Sequence, residues 1–173
     1  IMQNHDTDIE LYSLFTKEEC YDLWLINNLS WYIDYGPSPL TQGKMPYLEA
    51  NLLENILNTA DTCIVKKENS ATLRFGHESC VLPLACLLEL GDCAFQTPDV
   101  NSLADVWRNY RIFPMACNIQ FVFYRKKVND DVLVKVLLNE QEMKLPVESD
   151  LAPYYHWKDV ETYYRNKLAT FRK

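Results

Sequence analysis

Two adjacent residues, His77 and Glu78, are of the types that carry out acid–base chemistry. They follow a short apolar segment, 72–75, and precede an apolar run in which Pro83 suits the first turn of a helix. This order predicts a strand, a turn and then a helix. In open α/β sheets, ligands gather at the carboxyl ends of strands, and the free N–H groups of helix N-termini favour anions. The pair is therefore a candidate site for phosphate chemistry.

A purely structural role for the same residues is the alternative. His77 would then be a core histidine whose nitrogens bond to the backbone, and Glu78 a carboxylate that stabilises the helix dipole. Arg74 is a further candidate for substrate binding. In a regular strand it lies on the face opposite to His77, so only an irregular strand brings it to the site.

Neither a metal nor a cofactor is predicted. His5, Asp6 and Asp8 cluster near the start of the chain, in a short polar segment that is typical of a flexible tail. His77 and His156 have no second candidate ligand three or four residues later.

The six cysteines show no paired C-x-x-C metal pattern. Cys86 falls on the apolar side of the predicted helix and is interpreted as a small core residue. The spacing leaves a Cys86–Cys93 or a Cys80–Cys117 disulfide open for a protein outside the cytosol.

Composition limits the classes of partner. The chain has 173 residues, of which 48% are hydrophobic, enough for one core. Its net charge of -7 argues against nucleic acid or a membrane surface as a partner, because both attract clustered Lys and Arg. No apolar stretch approaches the length of a membrane-spanning helix.

Helices are predicted first along the chain. Thr16 and Glu19 form a capping-box pattern, which predicts a helix that runs to about Tyr35 and ends at the Gly and Pro residues beyond it. A second helix, from Tyr47 to about Ala60, is strongly amphipathic. The aromatic residues of the first helix are interpreted as packing rather than as a binding surface; they are Trp24, Trp31, Tyr32 and Tyr35.

A sheet and a final helix follow. Segments 118–125 and 132–138 are rich in β-branched and aromatic residues and predict an antiparallel pair, and 157–171 predicts a helix. No boundary demands two domains. We expect one domain with a mainly helical part, a strand-helix-strand core and a C-terminal helix, spanning 1–70, 71–146 and 147–173.

The residues around the pair resemble a family signature. FGHES followed by VLPLACLLELG resembles the second signature of the histidine acid phosphatases, branch 2 of the histidine phosphatases. There a strand ends in His-Asp, or in His-Ala-Glu in the multiple inositol polyphosphate phosphatases. FVFYRKK, and VLVKVLLNE before LPV, resemble the strand pair that follows in that subgroup. The resemblance spans Thr72 to Pro146; here Glu78 directly follows His77.

The resemblance implies a fold and a reaction. The fold would be the C-terminal part of a three-layer, phosphoglycerate mutase-like α/β fold, with a mixed sheet flanked by helices. The reaction would be hydrolysis of phosphate esters, such as inositol polyphosphates or phytate, through a phosphohistidine. His77 would hydrogen-bond the phosphoryl oxygens, Glu78 would be the general acid, and Arg74 stays a candidate for substrate binding.

The first signature of that family, an Arg-His-Gly-x-Arg-x-Pro loop with the nucleophilic histidine, is absent. None of His5, His77 and His156 follows an arginine or precedes a glycine. We therefore expect the C-terminal portion of a larger phosphatase, inactive alone, whose partner is the missing N-terminal half. The family also implies a periplasmic or secreted protein. The alternative is a non-catalytic binding or interaction protein that keeps the phosphatase fold, and the oligomeric state stays open.

Overall fold

The computed structural model describes residues 12–66, 69–127 and 131–172. Helices and an antiparallel sheet make up this part of the chain, which confirms the α/β class. The helices are α1 (Lys17–Asp34), α2 (Ala50–Lys66), α3 (Glu78–Leu87), α4 (Leu103–Val106), α5 (Asn109–Ile112) and α6 (Trp157–Phe171). The strands are β1 (Ile119–Tyr124), β2 (Leu133–Leu138), β3 (Gln141–Glu142) and β4 (Tyr155–His156).

The capping box at the start of α1 forms as predicted. The Thr16 backbone N–H donates to Glu19 Oε2 at 2.8 Å, and the Glu19 N–H donates to Thr16 Oγ1 at 3.2 Å. At the other end, a Cβ on Gly36 would lie 2.7 Å from the Tyr32 carbonyl oxygen. Only glycine therefore allows the chain to leave the helix so close to its last turn.

The aromatic side chains of α1 are packing residues, as predicted. Trp31 contacts Phe113 with ring centroids 4.7 Å apart, and Tyr32 meets Trp107 at 5.1 Å. These contacts join α1 to the short helices α4 and α5. They explain why α1 presents apolar groups on more than one side.

Helix α2 confirms the amphipathic prediction. Its buried residues lie at intervals of three and four along one face; they are Ala50, Leu53, Leu57 and Ala60. A 3-10 helix, Met45–Glu49, precedes α2 and packs against α3. That short helix becomes important at the candidate site.

The sheet is antiparallel throughout the described residues, whereas the resemblance implies a mixed sheet. Strand β2 is central: β1 pairs along its whole length, and β3 and β4 pair with its two ends on the other side. Alternate residues of β2 are buried and form the sheet's contribution to the core; they are Val134, Val136 and Leu138. The predicted antiparallel pair is confirmed.

The strand predicted at 72–75 does not form. Residues 69–77 carry neither helix nor strand, and within the part of the chain that the structure describes no segment pairs with them. A strand exists only where a neighbour accepts and donates its backbone hydrogen bonds. The apolar pattern of this segment therefore lacks the partner that would make it a strand.

Helix α3 is the centre of the core. It begins at Glu78, so Pro83 lies inside the helix rather than in its first turn as predicted. Every side chain from Leu82 to Leu88 is buried. A helix that is apolar on all sides must be enclosed by other elements. Helix α3 is enclosed by α2, α5 and the 45–49 helix.

The buried C-terminal end of α3 needs polar partners, and α6 supplies two of them. Tyr164 donates its hydroxyl to the Leu88 carbonyl at 2.7 Å, and Lys167 Nζ donates to the Leu87 carbonyl at 2.7 Å. Lys167 also lies 3.0 Å from a carboxylate oxygen of Glu89.

Glu89, just after the helix, has a positive φ of 54°. This left-handed conformation is common where a helix ends, and the residue that adopts it is usually glycine. The Glu89 carboxylate pairs with Lys167 and accepts from the Tyr163 hydroxyl, and these contacts hold its side chain against α6.

We predict that Lys167→Met lowers the free energy of unfolding by about 1–3 kcal/mol, because the Leu87 carbonyl loses this donor and the Glu89 carboxylate loses its cationic partner. Chemical denaturation measures the change. Lys158→Met, on the exposed side of the same helix, is the matched control and should change stability by less than about 0.5 kcal/mol. Equal losses in the two variants would contradict the role of Lys167.

Candidate active site

His77 and Glu78 lie at the exposed N-terminus of α3. His77 is the N-cap residue: its backbone is extended, and its carbonyl accepts from the N–H of Cys80 at 2.9 Å. Both side chains are exposed, and that of His77 makes no capping hydrogen bond to the helix. This excludes the alternative of a buried core histidine. The arrangement leaves an imidazole and a carboxylate beside the first free N–H groups of a ten-residue helix.

Arg74 is engaged with α2. Its Nη2 donates to Asn55 Oδ1 and to Thr59 Oγ1, both at 2.8 Å. The guanidinium therefore rests on neutral acceptors rather than on a carboxylate. Its role in substrate binding stays a prediction.

Glu49 is a neighbour of the site that the sequence did not reveal. It ends the 45–49 helix, and the thiol of Cys80, in the first turn of α3, hydrogen-bonds its carboxylate. Burial raises the pKa of Glu49, and the bond to Cys80 partly offsets this shift. No local pattern could have indicated it, because packing alone brings the 45–49 helix to α3.

Cys117 borders the same site from the loop before β1. Burial raises the pKa of its thiol, and the negative charge of Glu78 adds to the shift. The candidate site is thus bordered by Glu49 and Cys117, which come from two other stretches of chain. An exposed imidazole and carboxylate at the end of a buried helix define a site for handling an anion and transferring a proton.

In the part of the chain that the structure describes, the cysteines form no disulfide and the potential metal ligands form no metal site. All six cysteines are free, so neither Cys86–Cys93 nor Cys80–Cys117 is a disulfide here. Burial raises the pKa of Cys93 to about 12 and that of Cys86 well above its usual value, which keeps these core thiols protonated. Within residues 12–66, 69–127 and 131–172, no group of His, Cys, Asp or Glu is arranged to hold a metal ion. His5, Asp6 and Asp8 lie outside the described residues.

None of the helices in the described stretches has the length and apolarity needed to cross a membrane.

His156 lies elsewhere, beside a cavity of about 760 Å³ that neither His77 nor Glu78 lines. Its Nδ1 bonds to Asp131, and its Nε2 lies 3.3 Å from Asp150 Oδ1. These two carboxylates raise the pKa of His156. The imidazolium thereby ties the loop that contains Asp150 to Asp131, two residues before β2.

Comparison with known protein families identifies the family of this chain. The model of the Histidine phosphatase superfamily (branch 2) matches residues 3–139 of this chain. The chain therefore belongs to branch 2 of the histidine phosphatase superfamily, as its signature residues indicated. None of the curated protein sequences matches it.

Three solved structures of a multiple inositol polyphosphate phosphatase from Bifidobacterium longum are similar to this chain. The apo form has 25% identity and a TM-score of 0.74, over 91% of this chain and 35% of that one. The phosphate complex has 26% identity and a TM-score of 0.76, over 96% and 37%. The inositol hexasulfate complex has 28% identity and a TM-score of 0.68, over 82% and 30%. The chain thus spans about a third of the length of these relatives.

We predict a pH-dependent contribution of His156 to stability. Because the folded-state pKa is raised, the contribution is complete below the unfolded value of about 6.5 and is lost as the pH rises through the folded value. The melting temperature of the parent should therefore exceed that of His156→Gln at pH 6, and the difference should shrink at alkaline pH.

Thermal unfolding of both proteins between pH 5 and pH 9 measures this difference. Asp159→Asn is the control, because Asp159 lines the same cavity but makes no bond to His156. It should keep the parental pH dependence. A constant difference between the parent and His156→Gln at every pH would exclude the proposed ion pairs.

Proposed function

We propose that this chain is the C-terminal portion of a phosphomonoesterase that hydrolyses inositol polyphosphates through a phosphohistidine formed on polypeptide outside residues 1–173. The observation that carries the proposal is the exposed His77–Glu78 pair at the N-terminus of α3. It occurs in a chain of the histidine phosphatase superfamily that is similar to an enzyme solved with phosphate and with inositol hexasulfate.

The roles of the two residues follow from their chemistry. A histidine nitrogen of the remaining polypeptide attacks phosphorus, and the P–O bond to the leaving alcohol breaks. Glu78, in its protonated form, gives its proton to the leaving oxygen. His77 and the free N–H groups of α3 hydrogen-bond the phosphoryl oxygens. Water then cleaves the N–P bond and releases phosphate.

Arg74 has a secondary place in this proposal. Two hydrogen bonds hold its Nη2 on α2, so it reaches substrate only if the guanidinium turns away from that helix. We therefore assign the main phosphate contact to His77. Export to the periplasm or the medium belongs to the same proposal and is supported by the family resemblance.

The function is tested on the product of the natural reading frame that contains residues 1–173. We predict that Glu78→Gln lowers the rate of phosphate release from inositol hexakisphosphate by about 100-fold or more, because the leaving oxygen loses its proton donor. The affinity for inositol hexasulfate, which cannot be hydrolysed in this way, should stay within about twofold, because Gln is close to Glu in shape.

Glu18→Gln is the control, because Glu18 is an exposed residue of α1, a helix that contributes no residue to the candidate site. It should change neither quantity. Turnover of Glu78→Gln equal to that of the parent would remove Glu78 from the chemistry. If the parent itself releases no phosphate, the alternative of a non-catalytic binding protein is favoured.

We also predict that the 173-residue chain alone releases no phosphate above background, because its sequence holds no Arg-His-Gly loop to supply the nucleophile. A phosphate-release assay with purified chain and inositol hexakisphosphate checks this. Turnover by the isolated chain that His77→Ala abolishes would instead show that it contains its own nucleophile.

A further inference from the structure

A second cavity, of about 240 Å³, lies between helix α5 and the turn that joins β2 to β3. Arg108 and Arg111 line it on the side of the helix, and Asn139 lines it on the side of the turn. Neither His77 nor Glu78 contributes to its wall. The cavity is therefore separate from the candidate active site, and the proposed function gives it no role.

The two arginines of this cavity carry positive charge that no described carboxylate neutralises. The Arg108 guanidinium is held by neutral carbonyls: its Nε donates to Ala104 at 2.6 Å and its Nη2 donates to Asp105 at 3.4 Å. In the part of the chain that the structure describes, no acidic side chain forms an ion pair with Arg108 or Arg111, and Asp92, which also lines the cavity, pairs with neither. A chain of net charge -7 thus places two uncompensated cations at one cavity.

Much of the remaining wall of the cavity is apolar. Trp107, Ile112 and Leu138 belong to the buried core and also line the cavity. The one polar atom of the Trp107 side chain, Nε1, donates to the Cys93 carbonyl at 3.1 Å, so its hydrogen-bonding capacity is already used. A cavity with an apolar wall and a few convergent polar groups is the usual form of a small-molecule site.

The turn at the edge of the cavity is strained and held in place by side chains. Asn139 and Glu140 have positive φ values of 51° and 63°, a conformation that Glu rarely adopts. Asn139 Nδ2 donates to the carbonyls of Arg111 and Ile112 at 3.2 and 3.0 Å, which joins the turn to α5. Glu140 Oε1 accepts from Asn118 Nδ2 at 2.7 Å. The two sides of the cavity are therefore fixed relative to each other, and strained residues held in this way cluster at ligand-binding sites.

We propose that this cavity binds a small organic anion, a molecule with one phosphate, phosphonate or carboxylate group and a short apolar body. The planar fork of an arginine matches the paired oxygens of such an anion. Arg108 Nη1 and the guanidinium of Arg111 donate to the anionic group, because the bonds to Ala104 and Asp105 use only Nε and Nη2 of Arg108. The apolar body packs against Trp107.

Size and charge exclude the proposed substrate as the occupant. The volume of the cavity lies below the range of about 300–1,000 Å³ that holds drug-sized ligands. Two arginines balance one dianionic group, whereas an inositol polyphosphate carries several such groups. The Asp92 carboxylate in the same wall further disfavours an anion of high charge. The proposed site is therefore independent of the proposed function.

Calorimetric titration with phenylphosphonate tests the proposal, because this anion has the required shape and holds no ester bond that a phosphatase could cleave. The protein is the His77→Ala variant of the product of the natural reading frame that contains residues 1–173, so that the candidate active site contributes less binding. We expect a Kd of about 1 mM or lower. Benzylammonium, a cation of similar size, should not bind. Absence of phenylphosphonate binding, or equal binding of the cation, would overturn the proposal.

Substitutions in the cavity wall locate the binding. In the same background, Arg111→Gln should weaken phenylphosphonate binding about tenfold or more, because it removes an exposed guanidinium and keeps the carbonyl that Asn139 uses. Val106→Trp, at a position of the wall that is 39% exposed, should also weaken it, because the larger side chain fills the space. Circular dichroism verifies that both variants are folded.

Lys158→Gln is the control, because it removes the same charge from an exposed position of α6 that lies outside the cavity wall. It should change the Kd by less than about twofold. A Kd that neither Arg111→Gln nor Val106→Trp changes would place the anion elsewhere and overturn the proposal. Every protein in this test lacks His77, so these results do not depend on whether the parent releases phosphate.

Discussion

The burial of α3 from Leu82 onward is the constraint on which the rest of the structure depends. A segment that is apolar on every side must be enclosed, and the elements that enclose it come from stretches both before and after it in the sequence. The two termini of α3 lie in different surroundings. The C-terminal carbonyls lie in the core and are satisfied by Tyr164 and Lys167, whereas the N-terminus emerges at the surface. There it presents His77 and Glu78 on a rigid support, which is what a site for substrate chemistry requires.

Buried polar contacts specify how the shell around α3 is assembled. Asn28 of α1 donates to the Trp107 carbonyl at 3.1 Å and accepts from the Asn109 N–H at 2.7 Å. It thereby satisfies the backbone polar groups between α4 and α5, two four-residue helices that are too short to be stable in isolation. Asn139 performs a similar task at the turn after β2, where it donates to the carbonyls of Arg111 and Ile112. Such bonds fix how neighbouring elements are oriented, whereas the stability of the interior comes mainly from apolar burial.

Exposed apolar groups are distributed unevenly around α3. Around the N-terminus of α3, Phe75 and Met115 are almost fully exposed, while the opposite end of the helix is enclosed and its polar groups are paired. The chain is also acidic, so it provides little of the positive charge that a polyphosphate needs. On the proposed function, polypeptide outside residues 1–173 brings the cationic and nucleophilic groups.

The sequence by itself determined the elements whose signals are local. The Thr16–Glu19 capping box, the periodic face of α2 and the β1–β2 pair each lie within a short stretch of chain, and the signature around His77 identified the family. Only the tertiary structure decided what depends on distant partners. Packing brings Glu49 to Cys80, pairs His156 with Asp131 and Asp150, and places Arg74 on α2. The apolar pattern at 72–75 did not become a strand for the same reason. A strand is defined by hydrogen bonds to another segment, and no described segment supplies them.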